Sequence, residues 1–351
     1  MLAGNIPEAE HFADFHIHHV AYKTVDGQPI ETSILVPKDA APGPRPTIVR
    51  WHGGGLVRPH IKVTGARLYT PWFAPWVLDY ARSHSAIIVA PDHRLMPESS
   101  GRAILADIRD FWFWFHTSLS TYLPPRANGA EIDLTRVLLM GESAGAWHVV
   151  YSLARSFAPE SLRAAVLTFP MLDLRDPHFS QKSNPQDAAM LGVPWLGAEL
   201  VDEYEDAARR DPARIVTNVA PPERLDLMIA VFQNGRFVEW LERGEGWGEE
   251  DKVDAQEARQ LYPFELLEDA SKAGARLPPV LIAHGEQDSI VPAEGSRKFV
   301  DAWTRLQGED GARCRLVLRP GEHGFDGQVD FEDEWLQNEL KWVTEAWLGQ
   351  S

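Results

Sequence analysis

Three residues in this chain combine a reactive side chain with a placement that suits nucleophilic chemistry, each on a short turn after an apolar run. Gly141-Glu142-Ser143-Ala144-Gly145 directly follows Val137-Leu138-Leu139-Met140 and opens a helical pattern. In a G-x-S-x-G pentapeptide between strand and helix, the serine sits on a tight, strained turn. The flanking glycines remove side chains that would collide with both elements. A serine hydroxyl at neutral pH needs a base, and the base needs an orienting acid. Downstream, His284-Gly285-Glu286-Gln287-Asp288 follows an apolar run at 280–283, so Asp288 lies on the loop leaving a strand. Gly321-Glu322-His323-Gly324-Phe325 follows the run at 315–318 and holds His323 between two glycines. About ninety residues upstream of the serine, His52-Gly53-Gly54-Gly55 follows another strand-like run. Three glycines let bare backbone N–H groups approach a carbonyl oxygen as it becomes an anion, and each such donor is worth about 3 kcal/mol in acyl transfer.

Other residues compete for these roles. Glu286 is the substitute acid, and Asp326 lies close enough in sequence to reach His323. His148, one helical turn beyond the serine, is expected to point into packing, and His284 reads as a hydrogen-bonded core histidine at the end of a buried strand. His11, His16, His18 and His19 invite a metal reading. They have no carboxylate at ligand spacing, so solvent-facing imidazoles on an edge strand are expected instead. Neither a metal nor an organic cofactor is required by the chemistry.

The elements that must position these groups are legible in the apolar pattern. Residues 15–22 and 30–36 flank the turn signal Asp26-Gly27-Gln28-Pro29 and predict an antiparallel pair at a sheet edge. Continuous apolar runs at 47–51, 86–90, 136–140 and 164–169 have the look of strands covered on both faces. Helical periods lie between them at 67–83, 101–117 and 144–157, and the pattern resumes at 280–283, 294–306, 315–318 and 332–347. Strand alternating with helix predicts an α/β fold with a mostly parallel central sheet flanked by helices. The rhythm stops at 171–275, a stretch rich in Asp, Glu, Arg, Trp and Pro that reads as a helical cap inserted after the sixth strand. The expected organisation is a core of 1–170 and 276–351 with a cap of 171–275.

Composition narrows the function classes. The 351 residues carry 34 Lys and Arg against 51 Asp and Glu, a net charge of −17. An acidic chain without a basic tract is a poor fit to nucleic acid or anionic lipid. The single cysteine, Cys314, excludes an intramolecular disulfide and a cysteine-built zinc site. The N-terminal segment lacks a basic region and an apolar core, and no run approaches the ~18 apolar residues of a membrane helix, so a cytoplasmic protein is expected.

Together, His52–Gly55, Gly141–Gly145, His284–Asp288, Gly321–Phe325 and Pro91-Asp92-His93-Arg94-Leu95-Met96-Pro97-Glu98 resemble the hormone-sensitive-lipase-like branch of the α/β-hydrolase superfamily. The match runs from about Pro46 to Trp347. The chain order serine, acid, histidine is the order of that superfamily. The resemblance implies a carboxylic ester hydrolase with Ser143, Asp288 and His323 as its triad and the N–H groups of Gly54, Gly55 and Ala144 as its oxyanion hole. There are three departures. His93 stands where the branch usually has tyrosine, Ala146-Trp147 follows the elbow where glycine and a polar residue are common, and the N-terminal cap helices are mostly missing. The chain is also similar, more loosely, to fungal members that tailor or release secondary metabolites.

The expected substrate is a small to medium apolar or aromatic ester. Of thirteen tryptophans, several lie in regions expected to form the pocket: Trp72 and Trp76 after the glycine loop, Trp147 beside the elbow, and Trp195, Trp240 and Trp247 in the cap. Most are expected to pack the core and the cap seam. Leu56, Trp147 and Trp195 are the pocket candidates. The same triad serves an acyltransferase, an amidase or a polyketide-releasing or cyclising enzyme. A non-catalytic binder, as in the plant gibberellin receptors that resemble this branch but lose the base histidine, is the remaining class. A small-molecule ester is the expected partner, with a homodimer left open.

Overall fold

The computed structural model describes residues 7–57, 66–157, 160–217, 224–244, 246–248, 251–308 and 313–349. The extreme termini and parts of the expected cap (218–223, 245 and 249–250) lie outside the described residues. Eight strands form one sheet: β1 (Phe15–Val25), β2 (Gln28–Pro37), β3 (Gly43–Trp51), β4 (Ile87–Pro91), β5 (Ala130–Glu142), β6 (Leu162–Thr168), β7 (Val280–Gly285) and β8 (Cys314–Arg319). The spatial order is β1-β2-β4-β3-β5-β6-β7-β8. The pairs β1/β2 and β2/β4 are antiparallel and every other pair is parallel. This is the mostly parallel, helix-flanked α/β sheet that the apolar runs predict, and it has the strand layout implied by the resemblance to the α/β-hydrolases.

Twelve helices accompany the sheet among the described residues. Before the serine they are α1 (Glu8–His11), α2 (Pro75–Ser83), α3 (Gly101–Thr117) and α4 (Leu119–Tyr122), and α5 (Gly145–Ala154) follows it. Between β6 and β7 lie α6 (Glu199–Arg210), α7 (Leu225–Gln233), α8 (Phe237–Glu242), α9 (Ala255–Arg259) and α10 (Pro263–Lys272). Last come α11 (Glu294–Gln307) and α12 (Glu334–Leu348). The first long helix, α3, starts where Ser100 Oγ accepts the Ala103 N–H at 3.3 Å. It buries Ile104, Ile108, Phe111, Trp112 and Phe115, the stripe of a 3.6-residue period.

Alternation along the strands splits the core in two. Val49 and Leu139 join the layer under α3, α5 and α10, whereas Ile48, Leu138 and Met140 join the layer under α2 and α12. The helix expected over 67–83 is shorter. A 3-10 turn spans Ala66–Leu68, and α2 begins only at Pro75. Proline lacks the N–H a helix interior needs but suits a first helical position, so Pro71 and Pro75 delay the start. The expected insertion holds α6–α10. Of these, α10 packs against α5 and α11, so that stretch flanks the sheet. No helix among the described residues is long and apolar enough to cross a membrane.

Candidate active site

The parallel strands deliver their C-terminal ends to one edge of the sheet, and the chemistry-bearing turns gather there. Ser143 connects β5 to α5 with φ +53, a conformation that costs a non-glycine residue about 1–3 kcal/mol. The flanking glycines are required by space. A Cβ on Gly145 would lie 2.1 Å from the Trp51 carbonyl oxygen, and one on Gly141 would lie 2.6 Å from the Gly145 carbonyl oxygen. The strained turn is held by the Ser143 N–H donating to Thr168 O at 3.0 Å and by the Met171 N–H donating to Ser143 O at 3.0 Å.

Asp288 and His323 come to this turn from the loops after β7 and β8. His323 Nε2 lies 3.0 Å from Ser143 Oγ, and His323 Nδ1 lies 2.7 Å from Asp288 Oδ2. The other Asp288 oxygen accepts the N–H groups of Ile290 at 2.9 Å and Val291 at 2.8 Å. Burial works against the carboxylate charge. The His323 ring, the side-chain bonds from His284 and His323 and the Val291 N–H outweigh it, so Asp288 titrates well below the usual carboxylate range. A carboxylate only accepts, so His323 donates through Nδ1 and turns the lone pair of Nε2 to the serine hydroxyl.

Among the rival groups, Glu286 is exposed. His284 is fully buried, with Nδ1 2.8 Å from Ser296 Oγ, and Nε2 donates to Val291 O at 2.9 Å and reaches Asp288 Oδ2 at 3.2 Å. It is a core histidine that also braces Asp288. Asp326 accepts from Trp76 Nε1 at 3.3 Å. His16 and His19 are exposed on β1, as expected, although His19 Nδ1 also lies 2.9 Å from Ser33 Oγ, whereas His11 is half-buried on α1 with Nε2 2.9 Å from Phe73 O.

Next to the serine lies a buried charge cluster that joins Glu142 of the serine motif to Arg50 and Asp326, far away in sequence. Arg50 donates to Glu142, to Arg67 O at 3.1 Å and to Trp72 O at 3.0 Å, with its guanidinium 3.9 Å from the Phe73 ring centre. Burial pushes Glu142 up to about 7 and Asp326 up to about 6, with Arg50 opposing both shifts. Glu142 Oε1 also accepts the Gly53 N–H at 3.3 Å, which ties the glycine loop to the serine turn.

A second buried cluster supports the glycine loop from behind. His52 Nδ1 donates to Gly53 O at 2.7 Å, His93 Nδ1 to Arg94 O at 2.7 Å and His148 Nδ1 to Ala144 O at 3.1 Å. The ring centres of His52 and His93 are 4.7 Å apart, and those of His93 and His148 are 4.3 Å apart. Trp51 stacks on His148 at 4.9 Å. Burial lowers all three imidazole pKa values, that of His93 to about 4. Among the described residues, no group of three or more His, Cys, Asp or Glu side chains is arranged to hold a metal ion.

The serine opens into a cavity of about 560 Å³. Gly53 and Gly54, Trp72, Phe169, the Leu191–Val193 turn, Met228 and Ile229 of α7, His323 and Phe325 form its walls. The three pocket candidates from sequence lie elsewhere. Leu56 is buried at φ +57, and Trp147 is buried with Nε1 donating to Leu261 O at 2.6 Å. Trp195 lies outside the cavity wall, 5.2 Å from Lys182 Nζ. Adjacency in sequence misled here, because a helix turns Trp147 away from the elbow. Trp72, expected near the pocket, does line it, and Phe169 and Phe325 complete the aromatic wall.

Comparison with known proteins agrees with this architecture. Residues 48–230 match the family model described as alpha/beta hydrolase fold. A probable carboxylesterase, M8, of Phoma sp. is 30% identical over 98% of this chain and 100% of its own length. The non-reducing polyketide synthase Preu6 of Preussia isomera is 23% identical over 93% of this chain, a stretch that makes up 14% of the synthase. The crystal structure of esterase B from Lactobacillus rhamnosis superposes with a TM-score of 0.57 at 17% identity, covering 97% of this chain and 90% of that one. The chain belongs to the α/β-hydrolase family and is a carboxylesterase-like member of it.

Proposed function

We propose that the chain is a serine esterase that cleaves a small to medium apolar or aromatic carboxylic ester through an acyl-enzyme. One observation carries the reading: His323 bridges Ser143 Oγ at 3.0 Å and the charged Asp288 at 2.7 Å. Ser143 Oγ attacks the ester carbonyl carbon while Nε2 of His323 takes the hydroxyl proton. Asp288 holds the tautomer and stabilises the imidazolium. The tetrahedral oxyanion is received by the N–H groups of Gly54, Gly55 and Ala144, none of which is occupied by another hydrogen bond among the described residues. Ala144 precedes α5, so its N–H is one of the donors a helix start leaves open. His323 then returns the proton to the departing alkoxide, which leaves as the alcohol. Water, activated by the same ring, cleaves the acyl-serine and releases the acid.

The cavity volume suits a modest acyl or aryl group. A panel of nitrophenyl esters from acetyl to palmitoyl tests both halves of the reading. Turnover should peak at short to medium chains and vanish in Ser143→Ala. A preference for palmitoyl would contradict the size assignment, and full activity in the variant would contradict the mechanism.

A second reading is favoured by the likeness to a segment of Preu6. The same acyl-enzyme would form from a polyketide acyl group and be resolved by water or by a hydroxyl of the chain itself. Product analysis with added alcohols separates hydrolysis from transfer.

A further inference from the structure

The roof of the cavity is joined to the base by a short chain of hydrogen bonds. Met190 and Val193 pair through the Met190 N–H to Val193 O at 3.0 Å and the Val193 N–H to Met190 O at 2.9 Å, closing a two-residue hairpin. Its central residues, Leu191 and Gly192, have φ +51 and +76, the signs of a type I′ turn. Leucine is a poor occupant of that first position, since a γ-branched L residue at positive φ is strained. What anchors it is the Leu191 N–H, which donates to Ser289 Oγ at 2.9 Å. Ser289 is the neighbour of Asp288, and its hydroxyl donates onward to Glu322 Oε2 at 3.0 Å. The same oxygen accepts the Ser289 N–H at 2.9 Å and the His323 N–H at 3.1 Å. One carboxylate oxygen therefore holds the acid's loop and the base's loop together, and the serine joins both to the roof.

We propose that Ser289 and Glu322 are positioning residues that make the alignment of His323 depend on how the Leu191–Val193 hairpin is seated by the substrate. The inference rests on the esterase reading above. Leu191, Gly192, Val193 and Glu322 all line the cavity, so an acyl group that fills it presses on the hairpin tip. A seated tip keeps Ser289 Oγ bound, and a bound Ser289 keeps Glu322 between the two loops. Charge-assisted bonds of this kind are about twice as strong as neutral ones. A base displaced by about 1 Å loses on the order of a hundredfold in rate.

The test measures kcat and KM separately on nitrophenyl acetate, butyrate, hexanoate and octanoate for the wild type, Ser289→Ala, Ser289→Thr, Glu322→Gln and Glu322→Ala. In the wild type, kcat should rise from acetate to the ester that best fills the cavity. Ser289→Ala should lower kcat about thirtyfold for that ester and about threefold for acetate, with the KM trend kept. Ser289→Thr, which retains the hydroxyl, should restore the wild-type profile. Glu322→Gln, which keeps an acceptor without the charge, should lose less than Glu322→Ala on every ester. A loss in Ser289→Ala that is equal across the panel, or a wild-type kcat that is flat across it, would overturn the proposal. Fluorophosphonate labelling of wild-type Ser143 separates the two claims: labelling with an even Ser289→Ala profile removes the relay alone, and failure to label removes the esterase reading beneath it.

Discussion

Replacing His93 by phenylalanine should make the protein less sensitive to acid. His93 is fully buried between His52 and His148, and its Nε2 has no hydrogen-bond partner among the described residues. Burial lowers its pKa from 6.5 to about 4, with the bond to Arg94 O and the charge of Asp107 opposing. The unfolded chain takes up this proton below pH 6.5, whereas the folded chain refuses it until about pH 4. The folded state therefore loses stability as pH falls through that window. At about 1.4 kcal/mol per pH unit, the interval from 6.5 to about 4 amounts to about 3 kcal/mol at its acid end. His52 and His148 shift in the same direction and add to the slope. Phenylalanine keeps a ring in the stack, removes the titration and leaves the Arg94 carbonyl without its donor, at a cost of about 1 kcal/mol at every pH. Urea denaturation midpoints measured from pH 8 to pH 4 should show the variant about 1 kcal/mol less stable at pH 8. The two curves should cross, leaving the variant the more stable protein near pH 4. Parallel curves would refute the reasoning.

Gly145→Ala, whose Cβ would sit 2.1 Å from the Trp51 carbonyl oxygen, should destabilise the fold by about 3 kcal/mol or more, read as a drop in the urea midpoint. Asp288→Asn keeps the shape beside His323 but loses the charge that fixes its tautomer. Its kcat on nitrophenyl butyrate should fall about 10³–10⁴-fold with little change in KM. Met228→Trp adds bulk to the cavity wall and should lower kcat/KM for octanoate about tenfold more than for acetate.

The parts of the molecule legible in the sequence are those written locally. Runs such as Val280–Gly285, buried along their whole length, announce central parallel strands, and the glycines flanking the Ser143 turn announce a turn with no room for side chains there. The order of Ser143, Asp288 and His323 follows from the same local signals, because each sits at a strand end. Apolar spacing at 67–83 predicts one long helix, but Pro71 and Pro75 delay the start of α2 to Pro75. Only part of the cavity wall is legible: Gly53, Gly54, Trp72, His323 and Phe325 lie in or beside the motifs. Phe169, Leu191 and Met228 come from separate elements and share no spacing, and nothing local says that Arg50 and Asp326 will meet Glu142 next to the serine. Leu56 and Trp147 are near the reactive groups in sequence yet face the core, since a positive φ turns the first inward and the helix carries the second away.

The most direct test of the account is peptide mapping by mass spectrometry after treatment with a fluorophosphonate. The account predicts one phosphonyl adduct, on Ser143, formed rapidly in the wild type and at a rate lower by orders of magnitude in His323→Ala. No adduct on Ser143, or labelling there that proceeds equally fast without the imidazole, would contradict it.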